Sequence, residues 1–174
     1  MTQEAKGARF HIIEAFNRLI LSERRAKPRV ADVLSEAGVA RSTFYEHFNG
    51  RDTLLIEAMR GPLGIVADAL SGKGGDDRLR LILDHFRENR RSATELLTGP
   101  LRARIVRALA DLIAVRTEGE TPDKSFCLHL ADMQIGFLQL WLAGETRHSS
   151  LELARLMTRS AAALKAAMTA PQPD

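Results

Sequence analysis

Cysteine is almost absent from this chain. Cys127 stands alone among 174 residues, which excludes an internal disulfide framework and a cysteine-rich zinc site. A lone cysteine of this kind is ordinarily a small buried apolar side chain. Aromatic residues are also few, at 5%, and β-branched runs are scarce, so an all-β fold is excluded. No run of about 18 apolar residues occurs, so no membrane span is expected. The opening MTQEAKGARF has no apolar signal segment, and secretion is not expected either. A strong excess of one charge is missing too. Lys and Arg number 25 against 22 Asp and Glu, a net of +3 that proves nothing about nucleic acid. Residues 1–60 carry 10 basic and 8 acidic residues, and residues 61–174 carry 15 and 14. The local feature is Arg24, Arg25, Lys27 and Arg29, a cationic stretch without an acid.

What is abundant is Leu, Ala, Arg and Glu, all good helix formers. Hydrophobic residues at 45% and charged residues at 27% suit a globular chain with a real core. The length fits one domain, or a small head with a larger body. Apolar residues recur at helical spacing almost throughout, punctuated by Gly and Pro. The fold class expected is all-α, with about nine helices. The first runs from about Gln3 to Ser22. The second starts after Pro28, with Val30, Val33, Leu34 and Ala37 on one stripe, and stops at Gly38. A short third helix covers Arg41–His47. A fourth begins at Arg51 or Asp52, with a kink expected at Gly61-Pro62. Further helices are expected over Asp76–Asn89, around Ala93–Leu97, from Pro100 as an opening first-turn residue, over Asp123–Ala143 and over Ser149–Met168. Residues 171–174 are expected to be a disordered tail.

The informative stretch is VADVLSEAGVARSTFYEHFNGRDTLL, Val30 to Leu55. Two helices joined by a few residues with a Gly form a helix-turn-helix. In that motif the second helix enters the major groove, so its outer face must carry groups for bases and phosphates. Arg41, Ser42 and Thr43 stand at its start, and Tyr45 and His47 follow in the same turn. Phe44 and Phe48, four apart, are placed to hold it on its neighbours.

This segment resembles the tetracycline-repressor (TetR) family of bacterial transcriptional regulators. The resemblance lies in Ala37-Gly38-Val39, Arg41-Ser42-Thr43-Phe44-Tyr45, His47-Phe48, Arg51 and Leu54-Leu55. It implies that Arg41, Ser42 and Thr43 face bases, that Tyr45 and His47 touch phosphates or nearby bases, and that Arg51 binds phosphate in place of the usual Lys. Phosphate contacts position such a module and base contacts specify the sequence. Tyr45 and Arg51 are assigned to positioning, and Arg41 and Thr43 to reading. Two family hydroxyls are missing: Ala40 stands at the usual cap of the reading helix, and Pro28-Arg29 replaces a Thr near the start of the second helix. Each lost cap costs about 1 kcal/mol. Arg29, with Lys27, supplies charge there instead. A salt slope of DNA binding unchanged by Arg29→Ala would remove that role.

The resemblance divides the chain into a DNA-binding domain at 1–60 and a ligand-binding and dimerisation domain at 61–170. In the penultimate helix Leu128, Ala131, Ile135, Leu138 and Leu142 step three and four residues, a heptad-like seam. Dimer contacts are expected at Leu128, Ile135, Leu138 and Leu142, and at Leu153, Met157, Ala161 and Leu164 of the last helix. Two copies on a two-fold axis would read a palindrome. An effector pocket is expected among Phe86, Ile105, Leu109, Met133, Phe137 and Trp141, suited to a small apolar or amphipathic molecule that the sequence does not name.

No catalytic motif appears. Gly72-Lys73-Gly74-Gly75 lacks phosphate-loop spacing, and the five histidines are scattered, so neither enzyme chemistry nor a metal or cofactor is expected. The partners expected are double-stranded DNA, a second copy of the chain and an unidentified effector, in the cytoplasm. The alternative is a helical small-molecule-binding protein of the same fold without DNA binding, favoured by the two missing hydroxyls.

Overall fold

The computed structural model describes residues 3–21, 28–117 and 123–169. Among them the regular structure is helical throughout. The helices are α1 (Gln3–Leu21), α2 (Val30–Ala37), α3 (Arg41–His47), α4 (Arg51–Leu70), α5 (Asp76–Glu88), α6 (Arg90–Thr98), α7 (Arg102–Arg116), α8 (Lys124–Ala143) and α9 (Ser150–Thr169). They form two compact units, Met1–Met59 and Arg60–Asp174. The expected tail at 171–174 and the cations Arg24, Arg25 and Lys27 lie outside the described residues.

The first unit is built on one apolar cluster. Ile12, Ala15 and Phe16 of α1 meet Val33 of α2, Phe44 of α3, Phe48 and Leu54, all fully or almost fully buried. Burying side chains of this size contributes roughly 1.5–3 kcal/mol each. Arg9 of α1 pairs with Glu57 of α4 and lies over the Phe48 ring, 5.6 Å from its centroid. Arg18 and Glu36 join α1 to α2 at 2.8 Å on the surface, a pair of small net value.

Helix α4 is unbroken from Arg51 to Leu70, with Pro62 inside it. Proline costs a helix one backbone hydrogen bond, so a kink is the sequence-level expectation. Beyond Pro62, Leu63, Val66, Ala67 and Leu70 are buried at i, i+3, i+4 and i+7, and this burial holds the later turns in place.

In the second unit α5 packs on α9, α7 runs along α8, and α6 fills in beside α7 and α8. Its core includes Leu79, Leu83, Leu97, Ile105, Leu109, Ile113, Ala131 and Ile135. Arg116 clamps this unit. Its guanidinium reaches Asp68 at 2.5 Å, the Leu112 carbonyl at 3.0 Å and the Gly64 carbonyl at 3.2 Å. Asp123 caps α8 by accepting the Phe126 N–H at 2.7 Å. Gly144, at φ 84°, closes it in the left-handed conformation. The Arg90 Nε donates to the Leu142 carbonyl at that end, where a cation suits the helix dipole.

Pro100 does not open α7. It stands at the second position of a turn closed by the Arg102 N–H on the Gly99 carbonyl at 3.1 Å, and Leu101 follows at φ −85°, ψ −8°. Those are type I turn angles, for which proline's fixed φ is equally well suited. The helix begins after it.

Helix α8 is long and apolar enough to cross a membrane by length and composition, yet half of that stretch is buried inside the protein. Gln134 is wholly buried on it and donates to the Met157 carbonyl at 3.3 Å and to Ser160 Oγ at 3.2 Å of α9. These features describe a central core helix.

Candidate nucleic-acid interface

The turn between α2 and α3 depends on Gly38. Its φ is 64°, a left-handed angle that side chains with a Cβ rarely adopt. This lets the Val39 N–H return to the Leu34 carbonyl at 3.2 Å and sends the chain into α3. Arg29 is the residue before α2. Its own N–H donates to the Asp32 carboxylate at 2.9 Å, which is half of a capping box, while its side chain makes no cap bond. Ala40 precedes α3 with φ −69° and ψ 155°, proper cap geometry without a side chain able to accept.

Helix α3 is fixed by its aromatic side. Phe44 and Phe48 are buried with ring centroids 5.6 Å apart. Arg41, Ser42, Tyr45 and Glu46 are exposed, and Thr43 and His47 are half-buried. The Arg41 guanidinium lies over the Tyr45 ring, 5.5 Å from its centroid, a cation–π contact that holds two exposed side chains together. Arg51 opens α4 and is half-buried. Its Nε is buried with no hydrogen-bond partner among the described residues. Arg29 is exposed.

One exposed residue of α3, Glu46, was not among the sequence candidates. Helical phase is the signal that finds it. At about 100° per residue, Glu46 points almost opposite to the mean direction of Phe44 and Phe48, with Ser42 one turn before it. Arg41 and Tyr45 lie to one side of that crest, and Thr43 and His47 to the other.

The proposed effector contacts are placed in the second unit. Ile105 and Leu109 are wholly buried, Phe86 and Trp141 nearly so, and Met133 and Phe137 half-buried. The Trp141 Nε1 donates to the His148 carbonyl at 2.7 Å, so its polar edge is already occupied. An open cleft of about 670 Å³ lies elsewhere, lined by Arg90, Arg91, Thr94, Glu95, Leu142 and Ala143.

The heptad-like seam also has a definite place. Ile135, Leu138 and Leu142 of α8 and Leu153, Met157 and Ala161 of α9 are buried within a single chain. Leu128 and Leu164 are half-buried. The six buried side chains pack within the chain's own core; a three-four step marks a buried face without saying whose core buries it. Besides Leu128 and the terminal Ala143, the apolar residues that α8 leaves partly or fully open are Met133, Phe137 and Leu140, with Gly136 among them.

Among the described residues no group of three or more His, Cys, Asp or Glu is arranged to hold a metal. Ser125 Oγ and His129 Nδ1 lie 3.5 Å apart on an exposed turn, too far for a useful hydrogen bond. Burial pushes the Cys127 thiol up from its ordinary value, opposed in part by the hydrogen bond with Thr117, while the nearby Asp123 raises it by less.

No protein-family model and no curated protein matches the chain. Several solved structures are similar to it, among them the following two. A TetR transcriptional regulator from Streptococcus agalactiae 2603V is 23% identical, with 91% of this chain and 96% of that one covered and a TM-score of 0.48. The dihydroxyacetone kinase operon activator DhaS is 18% identical, with 90% of this chain and 94% of that one covered and a TM-score of 0.48.

Proposed function

We propose that this chain is a TetR-type transcriptional regulator that binds a specific DNA sequence through α3. The observation that carries the reading is the outer face of α3, where Arg41, Ser42, Tyr45 and Glu46 are exposed while Phe44 and Phe48 lock the opposite side into the core. A short helix with no apolar residue but a tyrosine on its outer face fits the major groove. Arg41 and Thr43 read base edges. Tyr45, His47, Arg29 and Arg51 position the backbone. Arg51 stands half-buried at the start of α4, and a guanidinium pairs well with a phosphate oxygen. The test is a mobility shift with DNA from the chain's own promoter region. A specific shift abolished by Arg51→Ala is expected. Absence of any specific shift favours the second reading, a helical small-molecule binder without DNA activity, which the uncapped Ala40 supports.

The regulator acts as a homodimer, since one short helix buries too little to select a site alone. The interface we favour joins the open faces of α8 and α9. Met133, Gly136, Phe137 and Leu140 follow i, i+3, i+4 and i+7 on α8, and Leu156, Ala163, Leu164 and Ala167 share one face of α9 at i, i+7, i+8 and i+11. A Cβ at Gly136 would meet nothing within 4 Å, so this stretch leaves room for a partner helix. Phe137→Glu is expected to give a monomer in sedimentation at micromolar concentration. A dimer that survives this change would place the interface elsewhere.

An effector enters the second unit among Phe86, Ile105, Leu109, Met133, Phe137 and Trp141 and releases the DNA, so the role is that of a repressor in the cytoplasm. These side chains are closely packed, so binding requires them to rearrange. An effector shifts such an equilibrium only by its difference in affinity for the two states. A ligand screen by thermal shift, repeated as a DNA-release assay, tests this.

A further inference from the structure

We infer that Glu46 is a base-reading residue that selects cytosine within each half-site. The inference rests on the DNA-binding reading above and deepens it.

Glu46 is exposed, and helical phase puts it at the crest of α3, about 180° from the buried Phe44–Phe48 side. No hydrogen bond or ion pair engages its carboxylate among the described residues. A helix seated in the major groove presents its crest to the floor of the groove, while side chains on its flanks lie between the floor and the walls and can reach either. The flanks here carry Arg41 and Tyr45 on one side and Thr43 and His47 on the other. The crest therefore meets base edges and not phosphates.

A carboxylate is an acceptor without a donor. Along the groove floor the donors are the amines of cytosine N4 and adenine N6. Adenine sets its amine beside the N7 acceptor, a pairing that suits the amide of Asn or Gln and repels a carboxylate. Cytosine N4 has no acceptor of its own base beside it. Negative charge brought towards DNA opposes binding unless a donor meets it, so Glu46 weakens binding to every sequence that lacks cytosine at its position. The residue acts by rejection as much as by attraction.

The test is binding-site selection by the full-length chain from a randomised double-stranded DNA library. Anisotropy titrations then follow on the selected site and on each single-base-pair replacement of it. Wild type is expected to enrich cytosine at one position of each half-site and to disfavour other bases there by about 5- to 100-fold. Glu46→Ala should lose that preference while keeping those at other positions. Glu46→Gln should move it towards adenine. Thermal melting of both variants should match wild type, since an exposed side chain outside the core is removed. Glu46→Ala with all preferences intact overturns the inference. So does a uniform loss of affinity at every sequence. A wild-type chain that enriches no sequence at all overturns the DNA-binding reading itself, a result distinct from the other two.

Discussion

Single residues set the conditions for α3. Gly38 supplies a φ of 64°, and a Cβ there would meet no neighbour within 4 Å, so the requirement is conformational and not steric crowding. A residue with a side chain would be strained by about 1–2 kcal/mol in that angle. Two positions on, Ala40 has the backbone geometry of a cap and no oxygen to complete it. Ala40→Ser is therefore expected to stabilise the protein by about 0.5–2 kcal/mol, read as a higher urea midpoint. An unchanged midpoint would mean that the first turn of α3 already satisfies its N–H groups in water. Cys127 is a third residue-scale case. It is 1% exposed, and burial raises its thiol pKa, so little thiolate exists at neutral pH. Maleimide labelling should be slow in the native protein and fast in urea; equal rates would place the thiol at the surface.

Elements carry their own signals. Helix α9 begins with a full capping box. The Ser149 N–H and hydroxyl each donate to the Glu152 carboxylate at 2.7 Å, and the Glu152 N–H returns to Ser149 Oγ at 3.2 Å. The bond from the Ser149 N–H, and then that from its hydroxyl, hold the Glu152 carboxyl below its ordinary pKa. The folded chain thus binds a proton there less readily than the unfolded chain. Its stabilising contribution is complete above the ordinary glutamate pKa and disappears as pH falls through the lowered one. Urea midpoints measured from neutral pH down through the carboxylate range should fall less steeply for Glu152→Ala than for wild type. Parallel curves would contradict this. Boundaries such as Gly38 and Ser149 were readable in the sequence because each has a local chemical reason. Pro100 was not, since one fixed φ serves both a first helical turn and a type I turn, and only the Gly99–Arg102 hydrogen bond separates them. Glu46 was overlooked for another cause. A family pattern directs attention to positions with an assigned role, whereas exposure on α3 follows from the phase of Phe44 and Phe48.

At the scale of the whole molecule, the seam of α8 was legible as a buried face and illegible as to its partner. Ile135, Leu138 and Leu142 lie in the core of their own subunit, together with Leu153 and Met157 of α9. Obligate dimers that share one core between two chains have no stable folded monomer. This chain keeps its core to itself. In the dimer proposed above, folding and pairing are therefore separate events, the first independent of concentration and the second dependent on it. Dilution should give a monomer with full helical circular dichroism, and loss of helix in step with dissociation would contradict that. Two differently labelled populations mixed under native conditions should also exchange partners at the rate of dissociation, without unfolding. In a cell, a dimeric regulator of the kind proposed would trade subunits with an altered copy of itself, and a variant defective only in α3 would then disable the intact chains it joins.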